Sequence, residues 1–128
     1  MTVGLDTSVV VRLAVGQPER LAERAKQRLA RAFRNGEEVV VTDTVLAEAY
    51  YALCYHYDVP KEVARSQLHA MISGGLIRAE PPEAGAELEK GGRAGVVDRM
   101  IAARYRRESV LTLTFDKKLA SLEGVEQV

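Results

Sequence analysis

Four acidic residues, Asp6, Glu48, Asp98 and Asp116, are placed so that their carboxylates could act together. Asp6 directly follows the first apolar run, and Asp116 follows a later apolar run by two residues. Two carboxylates about 5 Å apart repel each other by roughly 3 kcal/mol at an effective dielectric constant of 20. Divalent cations that prefer oxygen ligands, Mg²⁺ or Mn²⁺, offset such repulsion and often keep bound water. These residue types therefore predict metal-assisted hydrolysis of a phosphodiester by water.

Each acid also has a purely local role open to it. Asp6 could cap the helix that begins near residue 7, and Asp116 could stabilise a turn or cap the last helix. Glu48 and Asp98 could favour the positive ends of their helices. The neighbours of Glu48, residues 45–51, include no other charge, so we expect this side chain to be embedded in an apolar surface.

Apolar runs that predict strands alternate with segments that predict helices. The strand candidates are continuous apolar runs, which are typical of a parallel sheet covered by helices on both faces. Predicted strands are Thr2–Leu5, Glu38–Thr42, Leu76–Ala79 and Val110–Thr114. Predicted helices are Ser8–Val15, Pro18–Arg34, Asp43 or Thr44 to about Tyr57, Pro60 to near Ser73, a brief one ending at Lys90, Gly95–Arg107, and a short one ending near Leu122.

This alternation predicts an α/β domain of three layers with a central, mainly parallel sheet flanked by helices; the strand order stays open. Functional groups in such sheets gather beyond the carboxyl ends of the strands. All four acids are expected there: Asp6 and Asp116 follow strands, and Glu48 lies one turn into the helix after the second strand. Asp98 lies in the first turn of the helix that leads back into Val110–Thr114, so the start of that helix should reach the same edge.

Composition excludes several classes of protein. The 128 residues carry 18 basic and 18 acidic side chains, so the chain is not basic over its whole surface. Cys54 is the only cysteine and the chain has two histidines, which excludes an internal disulfide and an ordinary zinc site. We find neither a membrane-spanning apolar run nor a signal peptide, and we expect a cytoplasmic protein.

Four motifs resemble those of PIN-domain ribonucleases. The first has an Asp followed by Thr and Ser at the end of a strand, and the second ends in an acidic residue. In the third an Asp leads a helix of small residues, and the fourth is a Thr-Phe-Asp turn. The matching segments are Leu5–Val10, Val45–Glu48, Val97–Ala103 and Leu113–Asp116. Their order and spacing resemble the VapC-like toxins of VapBC toxin–antitoxin pairs.

The resemblance implies a single PIN-like domain over residues 1–128 with metal-dependent endoribonuclease activity. It implies that Asp6, Glu48, Asp98 and Asp116 are catalytic ligands of one or two Mg²⁺ or Mn²⁺ ions. It implies that the hydroxyls of Thr7, Ser8 and Thr114 orient carboxylates or water, although local backbone capping would explain Thr7 and Ser8 equally well. Many relatives have a further acid shortly before the third Asp, whereas residues 91–97 have none, which disfavours a full second metal site.

Six basic residues lie between positions 90 and 107, where Asp98 is the only acid. We predict that Arg93 and Arg99, with Lys117 nearby, contact RNA phosphates; the alternative is a solvated helix face. Four of the five tyrosines lie between positions 50 and 57. One pair of these should pack in the core, and the other should support a homodimer or an antitoxin contact.

The sequence disfavours two other classes of protein in which an Asp follows the first strand. A phosphohydrolase of the haloacid-dehalogenase type needs a second Asp two residues after the first, but that position is Ser8. A phosphoacceptor receiver domain needs two acids together after the first strand, and only Asp6 is present. Two alternatives stay open: a non-catalytic PIN-like interaction module, and an RNA-maturation nuclease without an antitoxin.

Overall fold

A computed structural model describes residues 1–91 and 94–128 of the chain. In these residues there are five strands and six α-helices; a pair of helices separates each of the first three strands from the next, and a 3-10 turn covers Leu119–Ser121. The strands are β1 (Thr2–Gly4), β2 (Glu38–Thr42), β3 (Ile77–Glu80), β4 (Thr112–Thr114) and β5 (Val125–Gln127). The helices are α1 (Thr7–Val15), α2 (Glu19–Arg34), α3 (Asp43–Tyr55), α4 (Lys61–Ser73), α5 (Glu83–Glu89) and α6 (Val96–Arg107).

All the strand pairings in the described part are parallel, as predicted, but they form two sheets. The first sheet has the order β1-β2-β3, with Val3 opposite Val39 and Val39 in turn opposite Ile77. The second sheet pairs β4 with β5 and sets Thr112 opposite Val125. The mixed α/β architecture with parallel strands confirms the predicted fold class.

The core forms around the central strand β2. Its alternate residues Val39 and Val41 are fully buried, and Leu46 on α3 and Leu68 on α4 are buried with them. Burial of one such aliphatic side chain contributes about 1.5–3 kcal/mol. A separate, smaller cluster of Ala94, Ala102 and Leu119, with Leu122 and Val125 packed against it, lies beside the second sheet. The region around Asp116 therefore packs on a core of its own.

Helix ends follow the predicted signals closely. The long helix α2 stops at Asn35-Gly36, where Gly36 adopts φ +69°, a left-handed conformation that glycine enters without steric penalty. The helix predicted to reach Tyr57 ends two residues earlier, and β4 begins at Thr112 rather than at Val110. None of the described helices combines the length and apolarity required to cross a membrane.

Candidate functional site

Asp6 is the residue that joins β1 to α1. The backbone N–H of Leu5 donates to the Val40 carbonyl at 2.9 Å, which fixes the chain beside β2 just before Asp6. The Oδ1 atom of Asp6 accepts from the Ser8 hydroxyl at 2.6 Å and from the Val9 N–H at 3.3 Å, so it caps α1. The Ser8 hydrogen bond, followed by that from Val9, lowers the pKa of Asp6 below its ordinary value. Asp6 is therefore a stable, exposed carboxylate.

Glu48 lies on α3, and its side chain reaches the start of α1. The Thr7 hydroxyl donates to Glu48 Oε1 at 3.3 Å. Because Thr7 follows Asp6 directly, this hydrogen bond connects the first acidic motif to the second. The expectation that Glu48 is embedded in an apolar surface is wrong: the residue is exposed. The uncharged neighbours Leu46, Ala49 and Tyr50 turn to the core on the other side of α3.

Asp98 lies in the first turn of α6, as predicted, and is half-buried. The preceding residue, Val97, lines a pocket of about 440 Å³ together with Ala47, the residue before Glu48. The first turn of α6 therefore lies beside the turn of α3 that carries Glu48. An ideal Cβ atom built on Gly95 would lie 3.8 Å from Asp98 Oδ2, so the backbone of Gly95 lies close to this carboxylate.

Asp116 follows β4 and stabilises the turn that leads into the 3-10 helix. Its Oδ1 atom accepts from the Lys118 N–H at 2.7 Å and from the Leu119 N–H at 3.4 Å. The Thr114 hydroxyl oxygen accepts from the Asp116 N–H at 3.0 Å and so fixes the backbone at the same turn. Both acids therefore have a local structural role: Asp6 caps α1, and Asp116 stabilises a turn.

Asp6, Glu48 and Asp116 share a pattern of hydrogen bonding. In each, one carboxylate oxygen accepts from a neighbour, and the described residues offer no hydrogen bond to the other oxygen. The acids are not gathered into one cluster: within residues 1–91 and 94–128, no three Asp, Glu, His or Cys side chains meet closely enough to hold a metal ion. The structure therefore orients individual carboxylates, and it links Asp6 to Glu48 through Thr7.

Arg99 does not have the surface position that an RNA contact requires. Its side chain is 8% exposed, and Nε lies 3.3 Å from Oε2 of the equally buried Glu87. The remaining donors bond to the backbone carbonyls of Glu87 at 2.9 Å, of Lys90 at 2.7 Å, and of Ala94. The prediction that Arg99 contacts RNA is therefore corrected: its guanidinium secures the connection between α5 and α6.

Other arginines of the same segment also have partners within the chain. Arg104 binds both oxygens of Asp43, at 3.0 and 2.9 Å, and this pair lowers the pKa of Asp43. Arg107 binds both oxygens of Glu83, at 2.8 and 2.7 Å. Arg93 lies outside the described residues, and Lys117 is exposed. The basic run seen in the sequence is thus largely a set of intramolecular ion pairs.

Only one of the four clustered tyrosines packs in the core, where a pair was expected. Tyr50 is buried, and the loss of solvent raises its pKa. Tyr51 and Tyr55 are exposed, with ring centroids 5.8 Å apart. Tyr57 is exposed as well: it lies in the connection after α3 and accepts a hydrogen bond from Arg12 at 3.0 Å. The exposed pair on α3 is therefore Tyr51 and Tyr55.

One charged surface was not singled out from the sequence. A groove between α1 and α2 is lined by Arg12 and by several arginines of α2, and it also touches Ser8. The helical spacing of Arg24, Arg28 and Arg31 is the signal that could have found it, because residues three and four apart lie on one helix face.

The structure is an α/β domain with parallel strands, and Asp6 and Asp116 are exposed carboxylates that follow two of these strands. The family model of the PIN domain matches residues 3–125, and the chain belongs to this family. PIN domains are generally metal-dependent nucleases, so membership supports a nuclease that acts on nucleic acid. No curated protein and no solved structure shows significant similarity to the chain.

Proposed function

We propose that this protein is a metal-dependent endoribonuclease that hydrolyses RNA phosphodiester bonds. The observation that carries the proposal is the hydrogen bonding of Asp6, Glu48 and Asp116. One oxygen of each is held by a neighbour, and the described residues leave the other without a hydrogen bond. Such an arrangement orients a carboxylate while keeping one oxygen for a ligand. Membership of the PIN family supports assigning that ligand as a divalent metal ion.

The donor set suits Mg²⁺ or Mn²⁺, since both prefer carboxylate oxygens and water. We assign Asp6, Glu48, Asp98 and Asp116 as the ligands. Their negative charges repel one another, by about 3 kcal/mol for two charges ~5 Å apart at an effective dielectric constant of 20. The four acids are therefore expected to converge only around a cation that offsets this repulsion.

A bound metal ion would activate water and stabilise the charge that develops on the phosphate. The hydroxyls have supporting roles: Ser8 keeps Asp6 ionised by lowering its pKa, Thr7 orients Glu48, and Thr114 fixes the backbone of Asp116. The exposed Lys117 remains a proposed phosphate contact next to Asp116. Arg93 keeps its sequence-based assignment as an RNA contact, and Arg99 is removed from that set.

We propose a single metal ion at this site. The backbone of Gly95 approaches Asp98 Oδ2, with an ideal Cβ at 3.8 Å, so a side chain at position 95 would begin beside this carboxylate. Glycine brings no ligand there. A second cation would need a further carboxylate near Asp98, and the sequence offers none between residues 91 and 97.

The test is cleavage of total RNA by the purified chain in Mg²⁺ or Mn²⁺, with EDTA as the paired condition. We expect cleavage in either metal and none in EDTA, because the carboxylates alone cannot stabilise the transition-state charge. Isothermal titration of the metal gives a second readout that does not depend on finding the right RNA. Cleavage that persists in EDTA would contradict the proposal. Metal binding without cleavage of any RNA would favour the non-catalytic interaction module.

We further propose a cytoplasmic toxin that is held by an antitoxin and forms a homodimer. The exposed pair Tyr51 and Tyr55 supports a protein contact on α3, and further exposed apolar side chains include Ile101, Leu113 and Phe115. Light scattering should give twice the chain mass of 14.1 kDa. A monomer mass would contradict the homodimer. An antitoxin-like gene directly upstream would favour the toxin, whereas a neighbourhood of RNA-processing genes would favour a maturation nuclease.

A further inference from the structure

A groove of about 850 Å³ lies between α1 and α2, and five arginines line it. Arg12 comes from α1, whereas Arg24, Arg28, Arg31 and Arg34 come from α2. The α2 arginines follow one another at intervals of three or four residues, which corresponds to about 4.5–6 Å along the helix axis. They therefore form a row along one side of the groove.

The charge of this row is mostly uncompensated. Among the residues that the structure describes, only Arg28 of the five forms an ion pair, with Glu37 at 3.3 Å. Arg12 donates to two neutral acceptors, the Gln17 carbonyl and the Tyr57 hydroxyl. No acidic side chain is among the lining residues. In a chain of zero net charge this is a concentrated positive field, which attracts a polyanion.

The groove reaches the residues that hold Asp6. Ser8 and Val9 line its end on α1, and these residues donate the two hydrogen bonds that hold Asp6. A polyanion lying along the arginines therefore ends beside Asp6. By contrast, the arginines at positions 99, 104 and 107 are engaged with acids elsewhere in the chain.

We propose that this groove is the track along which the phosphate backbone of single-stranded RNA enters the acidic site. The assignment rests on the proposed ribonuclease function for its choice of polyanion. A linear row of cations suits a backbone with regularly repeated charge, and a positively charged groove that follows the backbone is a general mode of single-strand binding. Within the described part of the chain no aromatic side chain lines the groove, so binding depends on phosphate contacts rather than on base stacking.

The test is the salt dependence of RNA binding, measured in EDTA so that cleavage does not enter. A fluorescently labelled single-stranded RNA is titrated with the full chain and followed by anisotropy at several salt concentrations. The double variant Arg24→Gln/Arg31→Gln removes two exposed charges, and glutamine keeps a good helix propensity. We expect weaker binding and a slope of log K against log salt that is shallower by about 1.4, since each phosphate contact contributes about 0.7.

The matched control is Arg20→Gln/Lys26→Gln, which removes the same charge from exposed positions of α2 that do not line the groove. Its slope should stay close to that of the wild type. An unchanged slope in the groove variant, or an equal change in the control, would overturn the proposal. Wild-type protein that binds polyglutamate but does not bind the labelled RNA would also overturn the proposal, since the groove would then accept an acidic peptide.

Failure of the groove and failure of the nuclease proposal give different results. If the slope changes as expected but no RNA is cleaved in Mg²⁺ or Mn²⁺, the track stands and the proposed activity falls. If RNA is cleaved but both double variants bind with the wild-type slope, the activity stands and the track is elsewhere.

Discussion

Replacement of Asp6 by asparagine is expected to lower metal-dependent RNA cleavage by about 10²-fold. Asparagine has nearly the same shape but lacks the charge that a cation requires. Substitution of a residue that only hydrogen-bonds to a metal ligand typically lowers metal affinity or activity by about 10–100-fold. Loss of the ligand itself should therefore lower cleavage by at least the upper end of that range. Asparagine caps helices as well as aspartate does, so the hydrogen bond from Val9 and the start of α1 should persist. Initial rates over a range of Mg²⁺ concentrations measure the effect.

Asp58→Asn is the matched control for this substitution. Asp58 is exposed in the connection between α3 and α4, at φ +53°, a left-handed conformation that asparagine also tolerates. The same chemical change there should leave cleavage near the wild-type rate. Asp6→Asn protein that melts like the wild type and still cleaves RNA at a similar rate would remove Asp6 from the proposed metal site.

Replacement of Arg99 by methionine is expected to lower the free energy of unfolding by about 3–5 kcal/mol. Glu87 would then keep a buried carboxylate whose one remaining ion-pair partner among the described residues is the exposed Lys90 ammonium, 3.5 Å from Oε1, and loss of one partner of a buried pair has this order of effect. The carbonyls of Glu87, Lys90 and Ala94 would also lose a shared donor. Denaturant unfolding followed by circular dichroism measures the difference, which is a large share of the stability of a small domain.

Two further variants make this result specific. In Glu87→Leu/Arg99→Met both charges are gone, and much of the lost stability should return because no unpaired ion stays buried. This double variant also serves if the single variant does not fold. Arg107→Met breaks a closer but exposed pair with Glu83, at 2.7 Å against 3.3 Å for Arg99 and Glu87, and we expect a much smaller loss of unfolding free energy. Equal losses for Arg99→Met and Arg107→Met would contradict the structural role of Arg99.

Most elements of the fold could be predicted because their signals are local. The apolar row of α2 and the Asn35-Gly36 stop define that helix, and β2 was placed with its observed bounds. The strand β5 was missed because Val125–Gln127 contains one apolar residue, and its conformation depends on pairing with β4. Division of the strands into two sheets also depends on tertiary geometry that no local pattern encodes.

The sequence could predict where the candidate acidic residues lie along the elements, but not how exposed or how paired the side chains around them are. Placement of Asp6, Asp98 and Asp116 at element ends follows from local patterns, and the structure has them at those ends. The exposure of Glu48 depended on which side of α3 packs inward. Whether the basic side chains between positions 90 and 107 are free depends on partners that are distant in the sequence. Arg104 and its partner Asp43 are 61 residues apart, so the sequence alone could not show that the Arg104 charge is paired.

The wide spacing of the acids also sets the order in which they are made by the ribosome. Asp6 and Glu48 emerge early, whereas Asp116, which lies between the paired strands β4 and β5, comes about 110 residues after Asp6. At ~5–20 residues per second this separates the first and last acids by roughly 5–20 s of translation. A growing chain thus carries its arginine row and two of the four proposed metal ligands well before the last ligand is made.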